Sequence, residues 1–194
     1  MYNIKFLNRY EKIKAFELLY DVYIKELNWK FGDNTPFNLR IHNNMLIDDN
    51  SHKGQWIGAF HNNKLIGCLQ INSKIKGSVP TQHYQLNNPK LNTILNKQSR
   101  LVEINRAAVN SKYRGSVLIQ MFRFVFIHGS RYNLTFFFTT CVRPLILLFI
   151  KLKMKPISGI KFKYEPHDRH YVTSFLCRPS HKYIIKNIET ALKI

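Results

Sequence analysis

Apolar residues recur along this chain with two different periods, and the switches between them mark out its elements. Tyr2–Leu7 reads as a first strand. Over Glu11–Asn28, Ile13, Phe16, Tyr20, Tyr23, Ile24 and Leu27 fall at helical spacing, which predicts an amphipathic helix. Asn28–Asn50 is polar and interrupted by Pro36, and reads as an ordered surface excursion over a pocket. Gln55–His61 and Lys64–Ile75 flank His61-Asn62-Asn63, a hairpin pattern. Gly77–Lys97 is a long connection with a short helix near Leu91–Asn96, and Arg100–Val109 is the next strand. The helix predicted over Ser116–Arg131 carries Val117, Leu118, Ile119, Met121, Phe122, Phe124, Val125, Phe126 and Ile127. It is apolar around most of its circumference and must be covered on several sides. Asn133–Thr140 reads as a buried strand and Pro144–Lys153 as a second apolar helix. Strands over Ile157–Tyr164 and His170–Cys177 precede a helix at His181–Lys193. The order β-α-β-β-β-α-β-α-β-β-α mixes hairpins with strand–helix–strand crossovers, which implies an α/β fold on a mixed sheet. With no repeat, low-complexity tract or linker, residues 1–194 are expected to form a single domain.

Composition changes this picture in three places. The run Leu134–Leu152 (LTFFFTTCVRPLILLFIKL) is long enough to raise the question of a membrane span. Arg143-Pro144 interrupts its middle, and an arginine at mid-bilayer costs roughly 2.5–3.5 kcal/mol, so strand, turn and buried helix explain it better. Cys68, Cys141 and Cys177 all sit in apolar surroundings, as free thiols do in a reducing compartment. Met1–Leu7 reads as a strand rather than a secretion signal, so the expected location is the cytoplasm. The formal charge of +19 implies an acidic partner: an acidic carrier protein, nucleic acid, or an anionic membrane touched peripherally.

The most informative stretch is Leu101–Val125, where an apolar strand enters Asn110-Ser111-Lys112-Tyr113-Arg114-Gly115 and a helix follows at once. Such a turn aims the unpaired amides of the helix start at one point and suits a phosphate. Gly115 lets backbone come close, and Lys112 and Arg114 add positive charge. Ala108-Val109-Asn110-Ser111-Lys112-Tyr113-Arg114-Gly115 resembles the acyl-carrier-binding motif of the GNAT acyltransferase superfamily. Leu148-Phe149-Ile150-Lys151-Leu152-Lys153-Met154 is similar to the Leu-Tyr-x-Lys-Leu-Gly-Phe ending of that superfamily. The resemblance implies a GNAT-like fold: a mixed, mostly antiparallel sheet of about seven strands flanked by helices.

The N-terminal half narrows the resemblance. Leu19-Tyr20-Asp21-Val22-Tyr23, Glu26-Leu27-Asn28-Trp29, the acidic pair Asp48-Asp49 and Glu103-Ile104-Asn105-Arg106 resemble two branches. These are the autoinducer (acyl-homoserine-lactone) synthases and the long-chain N-acyl amino acid synthases. The resemblance implies an N-acyltransferase. It would take a medium- or long-chain acyl group from acyl carrier protein or acyl-CoA to the amine of an amino acid or related small molecule. Ala107, Ala108, Val109, Lys112, Arg114, Gly115, Ser116 and Val117 would then bind the phosphopantetheine donor. Backbone amides near Ala107–Val109 would polarise the carbonyl if the strand bulges there. Glu103 is the candidate base, and Arg106 holds Glu103 or binds a substrate carboxylate; a plain Glu103–Arg106 ion pair is the alternative. Asp48 and Asp49 are candidates for the acceptor's ammonium group, with a solvated loop as the alternative, and Tyr23 and Trp29 for covering the acceptor pocket.

Four positions depart from those patterns. Val117 replaces a turn glycine and is expected to crowd a CoA pyrophosphate, which favours a carrier protein as donor. Phe149 replaces a tyrosine that serves as general acid, so the leaving thiolate needs another proton source. Asp21 and Gln70 stand where arginines are expected, which points away from homoserine-lactone formation. His167-Asp168-Arg169-His170 reads as a surface turn after Glu165-Pro166, no metal is expected, and Cys141 reads as a buried thiol rather than a nucleophile. The competing readings are an acetyl-CoA-dependent GNAT acetyltransferase and a non-catalytic basic module that binds nucleic acid.

Overall fold

The computed structural model describes residues 2–32, 35, 37–74, 79–83, 89–140, 142–152, 154–160, 163 and 171–178. Its contacts gather into two units, Met1–Asn72 with Asn105–Phe124, and Ser73–Ile104 with Val125–Ile194.

In the first unit, β1 (Asn3–Phe6) lies antiparallel to β4 (Gln55–His61), and β4 to β5 (Lys64–Ser73). Asn62 and Asn63 both adopt positive φ (48° and 60°), the conformation that asparagine tolerates and a tight hairpin demands. The hairpin read from the sequence is therefore present. Helix α1 (Arg9–Leu19) starts at a capping box in which the Asn8 side chain accepts from the Glu11 amide and Glu11 accepts from the Asn8 amide. The single helix expected over Glu11–Asn28 instead changes hand-hold at Tyr20: Tyr20–Glu26 is π-helical, with the Leu27 amide reaching back to the Val22 carbonyl at 3.0 Å. The polar excursion contains a small hairpin of its own, β2 (Arg40–His42) and β3 (Met45–Ile47), turned by Asn43 and Asn44 at φ 48° and 58°. Phe16, Leu19, Trp56 and Cys68 form the centre of this unit's core, with Tyr23 and Trp29 packed on it.

In the second unit, α2 (Pro89–Asn96) precedes β6 (Leu101–Val109), whose first half pairs in parallel with β7 (Thr135–Thr140). That ladder runs from Leu101↔Thr135 to Ile104↔Phe138. Helix α3 (Arg114–Arg131) lies before β7, and Gly129 is the point of closest approach: a Cβ there would come within 2.1 Å of the Phe136 ring. Helix α4 (Arg143–Lys151) opens with Pro144 in its first turn, where the missing amide costs nothing. The Leu134–Leu152 run is thus a strand and a helix, and no helix among the described residues is long and apolar enough to cross a membrane. Of the strand expected at Ile157–Tyr164, residues 157–160 are not strand and residues 161, 162 and 164 lie outside the described residues; β8 is Lys155–Pro156, and Gly159 at φ 73° turns the chain just beyond it. β9 (Thr173–Cys177) pairs antiparallel with both β7 and β8. The helix expected at His181–Lys193 lies outside the described residues.

The strand order β1-β4-β5-β6-β7-β9-β8 makes a seven-stranded sheet in which β6 and β7 run parallel. This is the mixed, mostly antiparallel α/β sheet the sequence implied.

Candidate functional site

Strand β6 carries most of the chemistry. Within the first unit its polypeptide bends at Arg106, whose φ of 51° is foreign to a regular strand. Asn105, Arg106 and Ala107 are half-buried, whereas Ala108 and Val109 are buried. Among the described residues the parallel ladder with β7 stops at Ile104, so the strand beyond the bend is free of that register. The Tyr23 hydroxyl, carried there by the π-helical turn, donates to the Ala107 carbonyl at 3.3 Å. Trp29 stacks at a tilt on Tyr23, with ring centroids 5.7 Å apart, and Phe31 continues the series at 5.5 Å.

The Asp48–Asp49 pair is split between two tasks. Asp48 is buried and forms an ion pair with Arg106, which also donates to the Ser51 hydroxyl at 3.1 Å. The other Asp48 oxygen accepts from the Asn50 amide at 2.8 Å and from the Ser51 hydroxyl at 3.1 Å. Both carboxylate oxygens are therefore engaged inside the protein, which replaces the expected contact with a substrate ammonium group and the alternative of a solvated loop. Asp49 is exposed and pairs with Arg40 at 3.0 Å. The carboxylate that Arg106 engages is Asp48, not the expected Glu103. Gln70, which stands where an arginine was expected, is buried and donates to the Asn50 carbonyl at 3.2 Å. Asp21 is exposed and bridges to Lys25 at 2.8 Å, a contact that raises the lysine's pKa.

At the end of β6, the Asn110 amide donates to the Ile66 carbonyl at 2.9 Å, and the Asn110 side chain accepts from the Lys112 amide at 3.2 Å. A 3-10 turn, Ser111–Tyr113, leads directly into α3 at Arg114. A methyl group added at Gly115 would meet no atom within 4 Å, so space stands open over the first turn of the helix. Val117 does not fill it. Two residues on, the helix has turned this side chain inward, where it is wholly buried. There a Cβ on Gly67 would come within 3.0 Å of both Val117 and Met121. The crowding expected from Val117 is thus corrected by the phase of the helix. Arg114 is ion-paired with Glu26 and donates to the Val109 carbonyl at 3.2 Å, so much of its charge is already answered; Lys112 stays exposed. Ser116 is exposed and lies 3.4 Å from the Tyr2 hydroxyl.

In the second unit, Glu103 is 2% exposed. Thr81 serves both of its oxygens, the amide donating at 2.9 Å and the hydroxyl at 2.6 Å. Thr81 stands in a 3-10 turn, Pro80–His83, inside the connection that the sequence left unassigned. Phe149 is buried between Phe138 and Phe175 at 5.3 and 5.2 Å. Burial pushes the thiols of Cys68 and Cys177 up to about 12. Cys141 and His167–His170 lie outside the described residues, and among those described no group of His, Cys, Asp and Glu could hold a metal. Ser51, Asn50 and Thr81 are the site residues that sequence reading missed. For the first two the polar run Asp48-Asp49-Asn50-Ser51 was a visible sign; for Thr81 there was none.

A family model described as the N-acyl amino acid synthase FeeM matches residues 14–161. The chain belongs to that family. Members of the FeeM family and of the homoserine-lactone synthases are acyltransferases, and this chain is an enzyme of that class. Its fold is shared with FeeM, an N-acyl amino acid synthase from uncultured soil microbes, at 10% identity and TM-score 0.68 over 98% of this chain and 94% of that one. BjaI, a CoA-dependent acyl-homoserine lactone synthase solved with MTA, superposes at TM-score 0.73 and 14% identity over 100% of this chain and 90% of that one. A GNAT-family acetyltransferase from Staphylococcus aureus Mu50 gives TM-score 0.57 and 14% identity over 91% and 99%. No curated protein matches the sequence.

Proposed function

We propose that the chain transfers a medium- or long-chain acyl group from a phosphopantetheine thioester to the amine of an amino acid or a related small molecule. The observation that carries this reading is the make-up of one strand. Along β6 lie a buried, doubly held carboxylate and a bend at Arg106, and at Gly115 in the first turn of the helix that follows an added side chain would meet open space. The phosphate of the arm lies on the amides at Gly115, Ser116 and Val117, with Lys112 adding charge. The arm follows Ala107–Val109 on the freed side of β6, and a backbone amide there takes the thioester oxygen as negative charge builds on it.

Glu103 accepts the proton of the attacking amine. Thr81 fixes both of its oxygens and so fixes the direction from which the proton arrives. The nitrogen–carbon bond forms, the carbon–sulfur bond breaks, and the pantetheine thiolate takes a proton from water, since Phe149 has none to give. Arg106 binds the acceptor's carboxylate, with Asp48 acting through it as a positioning residue. Tyr23 and Trp29 wall the acceptor side. Acyl carrier protein and CoA present the same arm. The charge of +19 favours an acidic carrier, while the inward turn of Val117 removes the steric objection to CoA.

The test is a donor and acceptor profile. Purified chain is given decanoyl and palmitoyl thioesters of carrier protein and of CoA, and acetyl-CoA, with a mixture of amino acids, and products are read by mass spectrometry. Long-chain N-acyl amino acids, absent with Glu103→Gln, are the expected outcome. Acetylated products alone would overturn the reading.

A further inference from the structure

Away from these residues, a cavity of about 650 Å³ opens beside the start of α1, lined by Leu7, Arg9, Lys12, Ile13, Phe16 and His52. Its size falls within the range that holds small-molecule ligands. Leu7 and Phe16 are buried and form an apolar floor, and Ile13 extends that floor while remaining 45% exposed. The polar lining is Arg9, Lys12 and His52, with no acid among them. Arg9 makes no ion pair or hydrogen bond among the described residues. Lys12 donates to a neutral acceptor, the Gly54 carbonyl, at 3.2 Å, which leaves its charge unanswered. His52 sits edge-on to Phe16, with ring centroids 5.5 Å apart. Glu11, an acid beside these residues in sequence, is already committed to Lys5 at 2.6 Å and to the Asn8 amide at 3.1 Å. An apolar hollow with unpaired cations beside it suits an occupant that is apolar at one end and anionic at the other.

We propose that this cavity is a second ligand site, for an amphiphile with one anionic head and a short aliphatic tail. The tail covers Leu7, Ile13 and Phe16, and the head meets the Arg9 guanidinium, whose flat fork takes a carboxylate or a phosphate in two parallel hydrogen bonds. Lys12, one turn along the same helix face, and His52 add to the positive and polar surroundings of the head. None of the six lining residues takes part in the acyl transfer proposed above, so the two readings stand or fall separately.

Calorimetric titration with decanoate, decyl phosphate, decanol and decyltrimethylammonium, each below its micelle concentration, tests the site. Decanoate or decyl phosphate should bind about tenfold or more tightly than the neutral and cationic chains. The tighter of the two anions tells a fatty-acid source from a phosphate-headed lipid. Arg9→Glu places an acid in the first turn of α1, which helices favour, so the fold is retained. That variant should weaken anion binding about tenfold or more while leaving acyl transfer unchanged. Ile13→Asn should weaken it through the tail alone. A photoreactive fatty acid should label peptides containing Leu7–Phe16 or His52. Equal binding of decanol, undiminished binding by Arg9→Glu, or label confined to other peptides would overturn the proposal.

Discussion

At the scale of single residues, the pairings decide what each charged group can do. Glu103 is buried with one residue serving both its oxygens, so Thr81 is as informative a target as the carboxylate itself. As the proposed base, Glu103→Gln should lower kcat by about a hundred- to ten-thousandfold with little effect on KM for the thioester. Thr81→Val keeps the volume but removes the hydroxyl donor, and should cost about 1–3 kcal/mol of stability, read as a shift in the urea midpoint. Thr81→Ser restores that donor and should recover most of it. Arg106 and Asp48 form a largely buried pair, with side chains 15% and 2% exposed. Removing one partner strands the other, and Arg106→Met should destabilise the fold by about 3–5 kcal/mol at the lower end of that range, since Arg106 keeps some contact with solvent. Little of this was legible in the sequence. Both Asp48 and Arg106 stood out, but their partnership joins residues on distant parts of the chain, and only the fold reveals it.

At the scale of elements, local signals read well and tertiary choices did not. The Asn62-Asn63 hairpin and the strand–turn–helix around Gly115 are each fixed by neighbours a few residues apart, and each is present. The π-helical turn at Tyr20–Glu26 is different. It displaces the apolar phase by only one residue, too little for periodicity to detect, and what it achieves is the reach of Tyr23 to Ala107. The hairpin at Arg40–Ile47 was available from Asn43-Asn44 but was masked by the polarity around it. Two outcomes belong to this scale. Asn8→Ala should cost about 1 kcal/mol, since it leaves an amide of the first turn without its cap. The Lys5 ammonium and the Asn8 amide hold the Glu11 carboxyl below its ordinary 4.5. A lowered value in the folded state means that this contribution is complete above 4.5 and is lost as pH falls through the depressed value. In thermal melts from pH 6 to pH 2, Glu11→Gln should therefore flatten the acid limb and leave the neutral plateau only shifted.

For the whole molecule, the dominant quantity is charge: 30 Lys and Arg against 11 Asp and Glu. A net +19 does little for a fold and much for encounter, because long-range attraction raises the rate at which an oppositely charged partner arrives. That separates the two donors the site accepts. CoA brings its few charges within reach of the turn at Lys112–Val117, where contact rather than approach governs binding. A carrier protein spreads many negative charges over a surface of protein size, so its approach samples the field of the entire chain. Salt at about 0.15 M shortens that field to roughly 8 Å, and the loss falls on association. If an acidic carrier is the donor, kcat/KM for the acyl carrier should fall about tenfold or more between 20 and 300 mM salt while kcat barely moves. For acyl-CoA the same titration should give a much shallower slope. A flat response with the carrier, or the steeper slope with CoA, would assign the +19 to something other than delivery of the acyl group.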